Sequence, residues 1–152
     1  MQVKTFNLIK WVLFPIFFFW CFLQNMLGFF VFIYSKLRGH CKRIKTEDGI
    51  IYFEVDNQNK VYGVSLGYWV FLNETYKSDK ITHHHEWGHQ IQSLILGPLY
   101  LFLIGLPSGL SNVFRTAKDD LTYYNYPWER WADKLGSVLH SKFYYEREIK
   151  KD

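Results

Sequence analysis

His85-Glu86-Trp87-Gly88-His89, an H-E-x-x-H pentapeptide opening an apolar run, decides how this chain is read. On a helix, positions i and i+4 share a face, so His85 and His89 can offer two imidazoles to one metal ion. Glu86 then stands beside that metal as a general base toward water. The pentapeptide alone often arises by chance, but Glu129-Arg130-Trp131-Ala132-Asp133 follows it downstream. Zinc in a hydrolase uses three protein ligands and leaves one position open. Glu129 is the best candidate for the third ligand. Asp133, one helical turn later, can accept a hydrogen bond from the far nitrogen of His85 and fix its tautomer. This pattern points to a zinc hydrolase, with a peptidase foremost. Two imidazoles and a carboxylate favour Zn2+, although iron, cobalt or manganese fit the same donors.

Simpler readings compete at several positions. Glu129 could be a surface partner of Arg130 or Lys134. His83 and His84 read as helix-start or solvent-facing histidines rather than ligands, and Trp128 and Trp131 as packing residues. An oxyanion donor is also needed. Tyr123, Tyr124, Tyr126 and His140 are the candidates, and the sequence does not choose among them.

The chain of 152 residues is long enough for one domain. Three parts are expected: a transmembrane or membrane-embedded segment over 1–36, a metal-binding domain over 37–146 and a charged tail over 147–152. The run from Trp11 to Tyr34 is apolar except for Pro15, Gln24, Asn25 and Gly28. About 24 residues rising ~1.5 Å each would reach roughly 36 Å, enough to cross a bilayer core. Trp11 and Tyr34 sit where interfacial aromatics are found. Lys4 and Lys10 give a positive start, but no small-x-small cleavage site follows, so a removed signal peptide fits poorly. A single uncleaved span is the leading reading. A membrane-embedded element that does not span, or a buried soluble helix, are the alternatives. Lys36, Arg38, Lys42, Arg43 and Lys45 after the run outnumber the two lysines before it, which puts the C-terminal side in the cytoplasm.

Beyond the run, Ile50-Ile51-Tyr52-Phe53-Glu54-Val55 and Lys60-Val61-Tyr62-Gly63-Val64-Ser65-Leu66 read as two strands of a β-hairpin. Asp56-Asn57-Gln58-Asn59 would form its turn, and Tyr68 to Leu72 a third short strand. Thr82 is a fair N-cap for a helix from about His83 to Leu96 that Gly97-Pro98 stops. Leu99 to Leu106 is a second apolar element closed by Pro107-Ser108-Gly109. Arg115 to Tyr126 reads as a loop or short helix. A last helix is expected from Trp128 to about Tyr145, with Pro127 in its first turn. The fold expected is therefore α+β: an N-terminal membrane helix, a small antiparallel β-sheet and a helical zincin-like core carrying HExxH and ExxxD.

The net charge is +4 and the pI about 9.0. No Arg/Lys stripe interleaved with aromatics marks a nucleic-acid surface, so anionic lipid head groups suit the charge better. Cys21 and Cys41 form no metal or redox spacing and read as free thiols.

H-E-x-x-H with a downstream E-x-x-x-D resembles the gluzincin group of zinc peptidases, of which thermolysin is typical. More closely, the chain resembles a family of small, largely uncharacterised bacterial membrane-associated HExxH proteins. The matching residues are Gly63-Val64-Ser65-Leu66-Gly67, Thr82 to His89, Gln92 to Tyr100, Gly105-Leu106-Pro107-Ser108 and Glu129 to Gly136. The resemblance implies zinc on His85, His89 and Glu129, with Glu86 as base and Asp133 behind His85. It implies a bacterial inner-membrane protein but no secure activity.

One topological consequence follows. If Ile91 to Phe114 crossed a bilayer once, His89 and Glu129 would lie on opposite sides and could share no metal. The stretch is therefore a re-entrant hairpin, or it packs on the first helix at the membrane surface; the second is favoured. The leading function is a membrane-associated zinc metallopeptidase acting on membrane-proximal peptides. A non-catalytic zinc scaffold or partner-binding protein is the first alternative, and a zinc hydrolase of a non-peptide amide or ester the second.

Overall fold

Tyr52-Phe53 and Trp69-Val70-Phe71-Leu72 build the centre of the molecule, because strands apolar on both faces pack between two layers. The computed structural model describes residues 12–47, 50–55, 63–73, 80–114 and 123–138. In chain order these form α1 (Phe14–Trp20), α2 (Phe22–Leu37), β1 (Cys41–Glu47), β2 (Ile50–Val55), β3 (Gly63–Leu66), β4 (Trp69–Asn73), α3 (Lys80–Leu96), α4 (Leu106–Phe114) and α5 (Pro127–Gly136). A 3-10 turn (Gly97–Leu99) and a wide π-type turn (Leu101–Gly105) join α3 to α4. The α+β class expected from the sequence is the observed one.

The sheet is mixed rather than antiparallel, in the order β1-β2-β4-β3. β2 lies antiparallel to β1 and parallel to β4. β3 and β4 form the tight hairpin, with Leu66 opposite Trp69 and Gly67 at φ +64° in the turn. The expected pairing of β2 with β3 is not formed. Burial explains why. Tyr52 faces one layer and Phe53 the other, and both are buried. Such a strand belongs at the sheet centre, whereas β3 has Val64 exposed and fits the edge. β1 falls where the sequence shows only a basic flank. A charged strand is tolerated at an edge.

Side chains alternate across the sheet. Tyr52, Val70 and Leu72 meet Trp87 and Ile91 of α3 on one face. Phe53, Leu66 and Phe71 meet Val31 and Phe32 of α2 on the other. Each large apolar side chain buried this way contributes roughly 1.5–3 kcal/mol. α5 packs along α3 and adds Leu135 to the first of these clusters, and the two helices approach until only glycine fits. A Cβ on Gly88 would lie 2.0 Å from the Ala132 carbonyl oxygen, and one on Gly136 would lie 2.1 Å from that of His84.

The expected N-terminal span is two helices, α1 and α2, bent by 89°. Among the described residues no single helix is long and apolar enough to cross a membrane. The bend at Cys21 comes from side chains that reach the end of α3, whose last carbonyls have no partner within their own helix. Cys21 Sγ donates to the Ser93 carbonyl at 3.3 Å, and Trp20 Nε1 donates to Leu94 at 3.1 Å. Gln24 Nε2 donates to Gly97. Asn25 Oδ1 accepts from the Tyr68 backbone N–H at 2.9 Å, and its Nδ2 donates to Phe18. The polar pair inside the apolar run is thus fully buried, with both amide nitrogens and Asn25 Oδ1 hydrogen-bonded, while Gln24 Oε1 has no partner among the described residues.

Two helix ends also differ from expectation. Pro107-Ser108-Gly109 closes nothing, because the helical path runs from the π-type turn through Pro107 into α4 without a break. α5 stops at Gly136 rather than near Tyr145. Ser137 takes the left-handed conformation (φ 58°), and the Val138 N–H bonds back to Asp133 at 2.9 Å. The expected β2–β3 turn residues, the 115–122 part of the expected loop, His140 and the charged tail lie outside the described residues.

Candidate metal centre

Helix α3 is polar around its motif yet buried nearly all round from Thr82 to Ser93. Burying polar groups is costly unless each is hydrogen-bonded. On α3 the partners come from α5, from the sheet and from the helix itself, and they set the chemistry of the site.

His85 Nδ1 lies 2.7 Å from Asp133 Oδ1. The carboxylate can only accept, so Nδ1 carries a proton and, in the neutral ring, Nε2 carries a lone pair. His89 Nδ1 lies 2.7 Å from Gln92 Oε1. The Gln92 amide is oriented by its Nε2, which donates to the Trp128 carbonyl at 2.8 Å. His89 Nδ1 therefore also donates, and its Nε2 also carries a lone pair. The two Nε2 atoms face each other at 3.1 Å. Glu129 Oε2 completes a triangle, 3.0 Å from His85 Nε2 and 3.1 Å from His89 Nε2.

Three lone-pair atoms at this separation repel one another unless a cation lies among them. Tetrahedral zinc with bonds of about 2.0–2.1 Å would set its ligands roughly 3.3 Å apart, close to the observed triangle. The donor set therefore fits a metal ion. A proton is the other cation that could serve. Burial pulls the His85 imidazole down, but Asp133 and Glu129 outweigh it and push it up to about 10. Burial pushes the Glu129 carboxyl up, but the neighbouring His89 and His85 hold it well below the usual carboxylate range. Metal and proton thus compete for the same nitrogens.

Glu86 is buried beside the triangle, and its Oε2 has no hydrogen-bond partner among the described residues. Burial pushes its carboxyl up, His89 and His85 oppose that, and the Glu129 charge adds to the rise. Its other oxygen fixes what can stand opposite: a Cβ on Gly63 would lie 2.4 Å from Oε1. Gly63 also borders an apolar cavity of about 210 Å3 between α2 and the sheet.

The structure thus brings together His85, Glu86, His89, Glu129 and Asp133. His83 and His84 are not part of the cluster. His83 is buried against the Tyr52 ring rather than facing solvent, and His84 Nδ1 lies 3.3 Å from the Gly136 carbonyl. Of the tyrosines proposed as donors, Tyr126 is exposed and stacks on Trp128. Tyr124 packs edge-on against the His85 ring. Tyr123 is buried, pushed well up by that burial and then by the Glu129 charge, with its hydroxyl 2.9 Å from Ser108 Oγ. Gln92 escaped the sequence reading. Its signal was the i,i+3 spacing from His89, which puts an amide oxygen on the same helix face.

Because Asp133 and Gln92 hold the two imidazoles, each should matter to metal affinity. Asp133→Asn and Gln92→Leu should each weaken metal binding about 10–100-fold, read by competition with a chromogenic chelator. Unchanged affinity in both would contradict the assigned tautomers.

Comparison with protein-family models, with curated proteins and with solved structures finds no match to this chain.

Proposed function

We propose that the chain is a membrane-associated zinc metallopeptidase of the bacterial inner membrane, with its catalytic part on the cytoplasmic side. In this reading HExxH on α3 and ExxxD on α5 form a zincin-like core of gluzincin type. One observation carries the reading: three lone-pair atoms converge in a buried triangle with an unsatisfied carboxylate oxygen of Glu86 beside them. His85, His89 and Glu129 would hold the metal. Zinc bound there supplies a Lewis acid that acidifies water and polarises a carbonyl. Glu86 takes a proton from the attacking water and passes it to the leaving nitrogen. Its burial suits a base whose affinity for protons is raised. Among the described candidates, Tyr123, whose buried hydroxyl senses the Glu129 charge, is the donor assigned to steady the oxyanion.

The near-complete burial of all four residues supports a second reading, in which the metal only staples α3 to α5. A panel of membrane-anchored and soluble peptides separates the two. The peptidase reading predicts cleavage that a chelator abolishes and zinc restores. Full metal occupancy with no cleavage of any peptide would favour the staple.

A further inference from the structure

We infer that the protein sits in one face of a bilayer without crossing it, and that the bilayer covers a continuous apolar surface built from two bent helical elements. The inference rests on the membrane reading above and is independent of the chemistry at the metal centre.

The first element is α1–α2, which exposes Phe19, Leu23 and Phe30. The second runs from the end of α3 into α4 and exposes Leu99, Phe102 and Leu106. The hydrogen bonds from Trp20 to Leu94 and from Gln24 to Gly97 tie the two side by side, which brings both sets of exposed apolar residues to neighbouring elements. Soluble monomers rarely present contiguous apolar surface on this scale.

Neither element crosses. α2, with 16 residues, rises about 24 Å, against a hydrocarbon core of about 30 Å. The pairs bend by 89° and 118°. Both also return to the side from which they enter. His89 and Glu129 flank the second element and lie 3.1 Å apart. In the first, Phe14 packs on Tyr68 with ring centres 5.0 Å apart, and Phe32 packs on Trp69 at 5.4 Å. Both arms are thus rooted in the same β3–β4 hairpin.

The occupant is lipid rather than a second copy. Lys36 and Arg38 are exposed at the end of α2, with the Arg38 guanidinium 5.7 Å from the Tyr34 ring centre. A basic and aromatic fringe suits anionic head groups, whereas a second copy would bring like charge to it. The metal centre then lies at head-group level on the side where both elements begin and end.

The test uses the full chain with Cys21→Ser and Cys41→Ser, in which serine keeps a donor for the Ser93 carbonyl. Single cysteines replace Lys4, Arg38, Lys80 or Lys134 in turn. Bacterial cells and inverted vesicles are treated with a membrane-impermeant maleimide, and membranes are washed with alkaline carbonate. The expected result is carbonate-resistant protein with all four positions labelled from one face only. Carbonate-resistant protein with any of the four labelled from the opposite face would overturn the one-sided seating and leave the membrane reading intact. Protein released by carbonate would overturn both.

Discussion

Glu86→Gln should leave metal content and thermal stability near those of the wild type while turnover of any cleaved peptide falls at least 100-fold. The side chain keeps its shape but loses the basic oxygen. General-base catalysis of this kind is worth about 10²–10⁴-fold. The substitution also removes a buried charge whose Oε2 has no partner among the described residues, so stability should hold or rise slightly. Gly63→Ala approaches the same group from outside. Its methyl would meet Glu86 Oε1 at 2.4 Å, Cδ at 2.7 Å and Cγ at 2.8 Å. The whole side chain must shift to make room, so turnover should fall with metal retained. Isothermal titration with zinc, thermal melts and peptide hydrolysis check both variants. If both kept wild-type turnover, Glu86 would not be the base.

Gly88→Ala should produce the largest loss of stability of any single methyl addition near the site. The added carbon would lie 2.0 Å from the Ala132 carbonyl oxygen, and the next atoms met are also Ala132 backbone. A backbone cannot turn aside as a carboxylate can, so α3 and α5 must separate. Overpacking costs typically 1–3 kcal/mol, and backbone against backbone should reach about 3 kcal/mol or more. For a chain of this length each kcal/mol lowers Tm by roughly 2–4 °C, so a fall of about 10 °C is expected in detergent-solubilised protein. Separation also moves Glu129 and Asp133 away from the histidines, so zinc should bind more weakly. A melt within 2 °C of the wild type, on the same ~2–4 °C scale, would show that the helices do not cross here.

The site was legible because its information is local. The i,i+4 spacing of His85 and His89 and of Glu129 and Asp133 puts each pair on one helix face wherever the helices lie. What brings the two helices together is also in the sequence, as Gly88 and Gly136, but glycine in a helix reads first as a weakness. Gln92 was hidden because an amide three residues after a histidine has no established meaning until its other end is tied to the Trp128 carbonyl.

The sheet was legible as strands but not as pairings. The 56–62 stretch between β2 and β3 carries turn residues, which favours a hairpin locally. The actual neighbours follow from which strands are buried on both faces, a property of the finished fold. β1 was hidden for the opposite reason, since an edge strand can be charged throughout. The N-terminal run was legible as apolar and helical, but not as bent. No proline or glycine marks Cys21, and the bend is made by hydrogen bonds to carbonyls more than 70 residues away. Deleting the run would therefore strip α3 of the side chains that satisfy its last turn.

The central claim is that His85, His89 and Glu129 hold one metal ion. Its most direct test is metal content by mass spectrometry of the full chain, purified in detergent without chelators, beside Glu129→Ala. About one zinc per chain in the wild type, with clear loss in Glu129→Ala, is the expected result. Wild type without stoichiometric metal, even after incubation with zinc, cobalt, manganese and ferrous iron, would contradict it and leave a proton as the cation between the two imidazoles.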